Sequence, residues 1–225
     1  MARGKTLWEM LMEKLSGPVE FQFYNPLRAR IGHAVTIEEV ELRDYNFFLR
    51  EIREYKRTIG GQAFSFADYV LLARPLGGGD VLWRLRLNPV DDPDRHGGLT
   101  HHTLLLEMYD EMAYDQGLHQ VVQDDTKRFQ VIEDGQVTEE YWRINDVTGS
   151  YKAQVAVIAD VNRDNKVEMS EVQRLQLEYW DYWREVKDEG GTAVTEYLFI
   201  EIDTSNGWFQ LWKGREIDPQ RVLVI

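Results

Sequence analysis

Alternation of apolar and polar residues, repeated along most of the chain, is the feature that most constrains its fold. In VLWRLRL, Trp83 and Leu85 fall on one face and Arg84 and Arg86 on the other. A two-residue period is typical of a β-strand, whose successive side chains point to opposite faces. Comparable runs rich in aromatic and β-branched residues are VEFQFY, HAVTIEEVEL, YNFFLREIREYKR, QAFSFADYVLLARP, DVLWRLRLNP and HHTLLLEMY. The pattern predicts strands from residue 18 to about residue 128.

The second half of the chain continues the pattern. KRFQVIEDGQVTEEYWRI is predicted to be a hairpin, because two alternating runs flank the turn signal Asp134-Gly135. YKAQVAVIAD predicts one further strand, and TEYLFIEID, GWFQLWKGREI and QRVLVI predict three more. This density of strands predicts a mainly β protein of antiparallel sheets, sandwich-like or barrel-like.

Two segments are interpreted as helices. KTLWEMLMEKLSG has apolar residues at helical spacing and ends at Gly17-Pro18, which predicts an N-terminal amphipathic helix over residues 1–17. Its apolar stripe would dock on the main domain or anchor a partner protein. In VEMSEVQRLQLEYWDYWREV, apolar residues form a second helical stripe, although Leu175, Leu177 and Tyr179 also alternate like a strand. We favour a helix after residue 168.

No break in composition marks a domain boundary. We expect a single β-rich domain over residues 18–225, with two lobes meeting near residue 128 as the alternative. The chain has no cysteine, which excludes disulfides, thiolate metal sites and a cysteine nucleophile. Neither a signal peptide nor a membrane span can be recognised, so we expect a cytoplasmic protein.

The net charge of −13 argues against binding to nucleic acid. Phosphate backbones are recognised by clustered Lys and Arg, and the two most basic segments, RGKTLWEMLMEK and LRARIGH, are short and diluted by other residue types. We therefore expect no nucleic-acid partner.

Oxygen-bearing side chains in DVNRDNKVEMSE have the spacing of the ligands in a twelve-residue calcium loop. The candidate metal ligands are Asp160, Asn162, Asp164, Lys166, Glu168 and Glu171. Lys166 would bind the ion through its backbone carbonyl oxygen, and the others through their side chains. Asn165 occupies the position at which such loops favour glycine, and asparagine is the residue that best replaces glycine at positive φ.

This window resembles the calcium loop of EF-hands and, in DVNRDNKV, that of dockerins. The resemblance implies one bound Ca²⁺, with Mg²⁺ as the weaker alternative. An EF-hand has a helix before its loop, whereas QVAVIAD is predicted to be a strand, so only the ligand roles are carried over. The alternative is a solvated turn in which Arg163 and Lys166 neutralise the carboxylates.

Other constellations are less specific. LTHHTLLLEMYDEMAYDQGLHQ contains His101, His102 and His119 among several acids, but their spacing fits no compact metal motif. No serine lies in a nucleophile context and no phosphate-binding glycine motif occurs, so we expect no enzymatic activity. Five of the seven tryptophans lie between residues 142 and 212, as sheet core or as a ligand-binding surface: Trp142, Trp180, Trp183, Trp208 and Trp212.

The functional expectation is a non-enzymatic protein that acts by binding another protein, with the calcium loop as a structural element. The alternative is a carbohydrate-binding or carbohydrate-active β domain that uses the C-terminal aromatic residues. FQFYNPLRARIG, EYWDYWRE and GWFQLWKGREI resemble segments of bacterial proteins of about this length, a resemblance that implies no function.

Overall fold

A computed structural model describes most of the chain. The described residues are 20–22, 24–59, 62–75, 78–91, 99–124, 127–144, 150–158, 166–168, 172–188, 190–203 and 206–225. The predicted N-terminal helix (1–17) lies outside them.

Strands dominate the described residues, as the alternating pattern predicts. The strands are β1 (Glu20–Gln22), β2 (Ala34–Ile37), β3 (Tyr45–Ile59), β4 (Gln62–Pro75), β5 (Val81–Asp91), β6 (Leu99–Ala113), β7 (Arg128–Glu133), β8 (Gln136–Arg143), β9 (Tyr151–Ile158), β10 (Lys166–Glu168), β11 (Gln173–Lys187), β12 (Ala193–Asp203), β13 (Trp208–Glu216) and β14 (Val222–Val224). The helical elements are α1 (Gln116–Asp124) and two 3-10 turns, Val40–Leu42 and Pro219–Arg221. The prediction of a mainly β protein is confirmed.

Eight of the strands close into an antiparallel barrel. Their order around the ring is β3-β4-β5-β6-β13-β12-β11-β9, and β9 closes the ring by pairing with β3. Of the two predicted forms, sandwich-like and barrel-like, the structure shows the barrel. Strands β2 and β14 extend the sheet beside β3, and β8 and β7 extend it beside β11.

Strand β11 has two different neighbours on one of its edges. Its first half pairs with β9, from Gln173↔Val157 to Tyr179↔Tyr151. Its second half pairs with β8, at Trp183↔Trp142. The sheet thus splits at the middle of β11: one branch closes the barrel, and the other carries the β7–β8 hairpin away from it.

The predicted helix after residue 168 is wrong, because residues 173–187 form β11. Both faces of this strand are covered: Leu177 and Tyr179 pack in the barrel interior, and Trp180 and Tyr182 pack in a separate cluster on the outside. In the middle of β11, where both faces are buried, the alternation of apolar and polar residues is lost, and the apolar residues of the segment also fit a helical template. The segment is a strand and not a helix because it pairs with β12 along most of its length.

Side chains from opposite walls of the ring meet inside it. Arg84 of β5 bonds Glu201 of β12, although these strands are not neighbours. The outer surface of the barrel carries two further hydrophobic cores. One includes Ile52 and Leu85 under residues 29–42, and the other includes Trp180 under α1 and the β7–β8 hairpin.

Two glycines are dictated by local geometry. Gly135 has a φ of +75° and follows Asp134 at +51°, which makes the predicted hairpin turn one with two positive φ angles, as tight two-residue hairpins require. Gly214 of β13 lies so close to β6 that a Cβ atom would stand 1.9 Å from the carbonyl oxygen of Leu105.

Candidate functional site

The predicted calcium loop lies mostly outside the described residues. Four of its six candidate ligands belong to segments that the structure leaves out: Asp160, Asn162, Asp164 and Glu171. Lys166 and Glu168 are described as backbone, in strand β10, which pairs with β1 through Gln22↔Lys166 and Glu20↔Glu168. Within the described part of the chain, no three metal-ligating side chains gather in a group that could hold an ion. The calcium and magnesium predictions therefore stay predictions.

His102 and His119, whose side chains the structure describes, have separate partners. The His102 Nε2 atom lies 2.9 Å from a carboxylate oxygen of Glu216. His119 lies on α1, where its Nδ1 atom is 2.9 Å from the hydroxyl of Tyr114. The hydroxyl of Ser150 donates to Glu178 at 3.0 Å rather than to a histidine.

The tryptophans divide into two groups. Trp180 and Trp212 are fully buried, as the core interpretation predicts. Trp142, Trp183 and Trp208 are 40%, 39% and 46% exposed, so these three are available to a ligand.

Trp142 and Trp183 belong to one surface, which we name the aromatic face. They stand opposite one another in the β8–β11 ladder, and Arg128 of β7 lies over the Trp142 ring at 4.2 Å from its centre. Ile132 and Val137, also cross-strand partners, expose their side chains on the same hairpin. The hydrogen-bonded pair Gln130 and Glu140 lies between the two pairs in the ladder, and Arg128 is 3.4 Å from Glu140. The five residues thus form a half-exposed face that is apolar at both ends and carries one cation.

A polar cluster holds the reverse side of the hairpin to the barrel. Glu139 accepts from Arg184 at 2.8 Å and from Lys213 at 2.5 Å, and Glu196 accepts from Arg184 at 2.6 Å and from the Tyr141 hydroxyl at 2.7 Å. Burial alone would raise the pKa of Glu139, but the hydrogen bond and charge of Lys213, with those of Arg184, lower it. The aromatic face therefore rests on a fixed support.

Strand β7 ends the sheet. It pairs with β8 on one side, and no described strand pairs with it on the other. An edge strand offers its unpaired backbone N–H and C=O groups to another chain. Here that edge borders the aromatic face.

The barrel interior holds a second polar assembly, which we name the interior ion cluster. Arg86 makes two hydrogen bonds of 2.8 Å to the carboxylate of Asp68, and Arg84 makes one of 2.7 Å to Glu201. Arg86 also donates to Glu201 at 3.1 Å, and the Tyr55 hydroxyl lies 3.3 Å from the same carboxylate. All five side chains are buried, and the two positive and two negative charges balance.

Aromatic rings enclose the two guanidinium groups. Arg84 lies 3.9 Å from the centre of the Trp212 ring, and Arg86 lies between Phe66 and Phe199, at 4.7 and 4.4 Å. A planar guanidinium can stack on rings while its edge donates to carboxylates, which an ammonium group cannot do. Burial alone would raise the pKa of Glu201, but Arg84 and Arg86 lower it to about 2, so Glu201 is ionised at neutral pH.

One end of the barrel opens into a cavity of about 240 Å³ that reaches the ion cluster at Glu201. Val157, Leu175 and Leu177 form an apolar wall. The wall formed by β6, β12, β13 and the β12–β13 turn is mainly polar and includes Glu111, Asp203, Asn206, Trp208 and Gln210. We name this cavity the barrel mouth.

A groove of about 540 Å³ crosses the outside of the barrel between the two outer cores. Trp83, Leu105 and Val194 supply apolar contacts along it. Its cations are Lys187, Lys213 and Arg215; Lys213 is paired with Glu139, and Arg215 with acids of the segment before β3.

The fold and its sites define a closed antiparallel barrel with an ionic interior, an open polar mouth and an aromatic face on the hairpin beside it. No protein-family model, curated protein or solved structure matches the chain. The nine-residue α1, like every other described helical element, is too short to span a membrane.

Sequence reasoning overlooked the ion cluster and the mouth. Arg84 and Arg86 alternate with leucines like the solvated side of any strand, and Glu201 in FIEID stands alone between apolar residues. That isolated acid inside an apolar run was the one available signal, because a buried carboxylate needs a buried cation.

Proposed function

We propose that this protein acts by binding another protein, without a reaction of its own, and that the aromatic face is the contact surface. The observation that carries the proposal is the exposed pair Trp142 and Trp183, with Arg128 stacked on it, beside an unpaired edge strand. Trp and Arg are the residue types that dominate the binding energy of protein interfaces.

The edge of β7 favours a partner segment in extended conformation. Such a segment would add a strand to the sheet through backbone hydrogen bonds, while alternate side chains rest on the aromatic face. Acids accompany the exposed rings: Glu140 and Glu185 line the same shallow depression as Trp142 and Trp183, and the whole chain has a net charge of −13. A partner segment that alternates apolar and basic side chains complements this surface.

The test is a set of three tryptophan-to-serine variants. Partners captured by the wild-type protein are compared with those captured by Trp142→Ser and Trp183→Ser, and the affinity of each recovered partner is then measured with purified proteins. Each substitution at the aromatic face should weaken binding by at least about tenfold, as expected for an interface anchor. Trp208→Ser, equally exposed but at the barrel mouth, is the matched control and should bind like the wild type.

Equal weakening by all three substitutions, or by none, would contradict the proposal. All variants should keep the circular-dichroism spectrum of the wild type, since each replaced ring is more than one third exposed. The same variants address the carbohydrate alternative, which the half-exposed tryptophans also favour. Quenching of tryptophan fluorescence by an oligosaccharide, lost in Trp142→Ser, would assign the aromatic face to a sugar chain instead.

Two further parts of the proposal, the bound Ca²⁺ and the compartment, are supported by the sequence alone. Ca²⁺ at residues 160–171 would stabilise the fold without taking part in partner binding. The cytoplasm remains the expected compartment.

A further inference from the structure

We propose that the barrel mouth binds a small organic cation, in which a primary amine is carried on a short apolar chain. This inference is independent of the aromatic face, because the two sites share no lining residue. It starts from the cavity of about 240 Å³, which is smaller than the pockets of about 300–1,000 Å³ that hold drug-sized ligands. The occupant therefore has few heavy atoms.

The charge of the mouth selects against anions. Of the residues that the structure describes, four carboxylates line it, from Glu51, Glu111, Glu201 and Asp203, and one guanidinium, that of Arg53. That guanidinium is already bonded to Glu51, at 2.5 Å. Arg84 and Arg86, which lie behind Glu201, are likewise ion-paired, Arg84 with Glu201 and Arg86 with Asp68. Among the described residues, an incoming carboxylate or phosphate would therefore meet no cation that lacks a carboxylate partner.

One carboxylate of the mouth stays available. Among the described residues, no cation and no hydrogen-bond donor contacts the side chain of Glu111, whereas Asp203 accepts from the amide of Asn206 at 2.8 Å. Glu111 stands opposite Gln210 in the β6–β13 ladder, so its carboxylate shares the polar wall with an amide. An ammonium group can bond to both, because it has three donors and both groups offer acceptor oxygens.

The remaining walls suit the rest of such a ligand. Trp208 is 46% exposed at the rim, and an indole ring attracts a cation placed over its face. Across the cavity, Leu175 and Leu177 can cover a short run of methylene groups. A neutral polyol would gain from the amides, but it would leave the negative potential of the mouth uncompensated.

Three probes of equal chain length separate charge from shape: 1,4-diaminobutane, butane-1,4-diol and succinate. Calorimetric titration of the full chain should detect the diamine at least tenfold more tightly than the diol, and should detect no succinate. Raising the salt concentration should weaken diamine binding, because part of the attraction is screened. Equal affinity for the diamine and the diol, or binding of succinate, would overturn the proposal, as would the absence of any diamine binding.

A matched pair of variants locates the site. Glu111→Gln keeps the shape of the side chain and removes its charge, and it should weaken diamine binding at least fivefold. Glu133→Gln makes the same change at the exposed hairpin turn and should bind like the wild type. Identical affinities of the two variants would overturn the assignment. Trp142→Ser, which tests the aromatic face, should leave diamine binding unchanged, so the two proposals fail separately.

Discussion

At the scale of single residues, the arginines of β5 are the clearest case of a pattern that has two meanings. The sequence separates the two faces of the strand, with Leu85 on one and Arg84 and Arg86 on the other. It does not say which face lies inside the barrel. The arginines lie inside because Asp68 and Glu201 meet them there, and because Leu85 is needed in an outer core. The orientation of β5 therefore depends on contacts with strands that are distant in the sequence, and the local pattern of residues does not predict it.

Gly214 gives a prediction at the same scale. An alanine Cβ there would collide with the backbone of β6 at Leu105, which cannot rotate away as a side chain would. We expect Gly214→Ala to lower the free energy of unfolding by about 3 kcal/mol or more, at the upper end of overpacking costs. The urea midpoint measures it. Gly79→Ala, where a Cβ meets nothing within 4 Å, is the control and should leave the midpoint within experimental error.

At the scale of elements, turns and alternating strands could be predicted, whereas the choice between helix and strand failed twice. The Asp134-Gly135 turn was recognised because its residues suit two positive φ angles. The pattern of strand β11 favours a helix because the middle of the strand is buried on both faces and loses its alternation. The helix α1 was missed because its nine residues offer few apolar positions, while its start is fixed by Asp115, which accepts a 2.6 Å bond from the Leu118 amide.

The calcium prediction belongs to this scale, since it concerns one segment, DVNRDNKVEMSE. Its four carboxylates repel one another without a cation, and a ligand that binds only the folded state adds about 2.7 kcal/mol at a hundredfold excess over Kd. Millimolar Ca²⁺ should therefore raise the melting temperature by several degrees, and Mg²⁺ should raise it less. Glu171→Gln should remove the effect. A melting curve that neither ion moves would leave the segment as a solvated turn.

At the scale of the whole molecule, the antiparallel β architecture was predictable and its closure was not. Alternation identifies strands, but the pairing of β9 with β3 joins residues such as Arg53 and Val157 that no local signal relates. The ion cluster likewise depends on the curvature of the sheet, because Glu201 and Arg84 lie on strands that are not neighbours. Sequence reasoning therefore gave the elements of the barrel and missed its interior.

The ion cluster makes the stability of the barrel sensitive to acid. The pKa of Glu201 is about 2 in the folded protein, below the value of about 4.3 for a free glutamate. A carboxylate whose pKa is lower in the folded protein than in the unfolded chain stabilises the fold at pH values above its unfolded-state pKa. This contribution disappears as the pH falls toward 2. Its size is on the order of 3 kcal/mol at neutral pH.

Glu201→Gln should therefore be less stable than the wild type at pH 7, and the difference should shrink between pH 4.5 and pH 2. Urea unfolding at several pH values measures both quantities. The same substitution at the exposed Glu133 should leave the wild-type pH profile unchanged. A Glu201→Gln profile parallel to that of the wild type would show that this carboxylate does not couple folding to protons.

Ring closure also has a consequence for the order in which the strands pair during synthesis and folding. The β3–β9 pair joins segments about 100 residues apart, and contacts of such long range form late in folding. At a synthesis rate of about 5–20 residues per second, β3 leaves the ribosome roughly 5–20 s before its partner. Its segment REIREYK carries five charged residues of alternating sign. Charges on a bare edge discourage pairing with foreign strands, so the nascent chain protects this edge until β9 arrives.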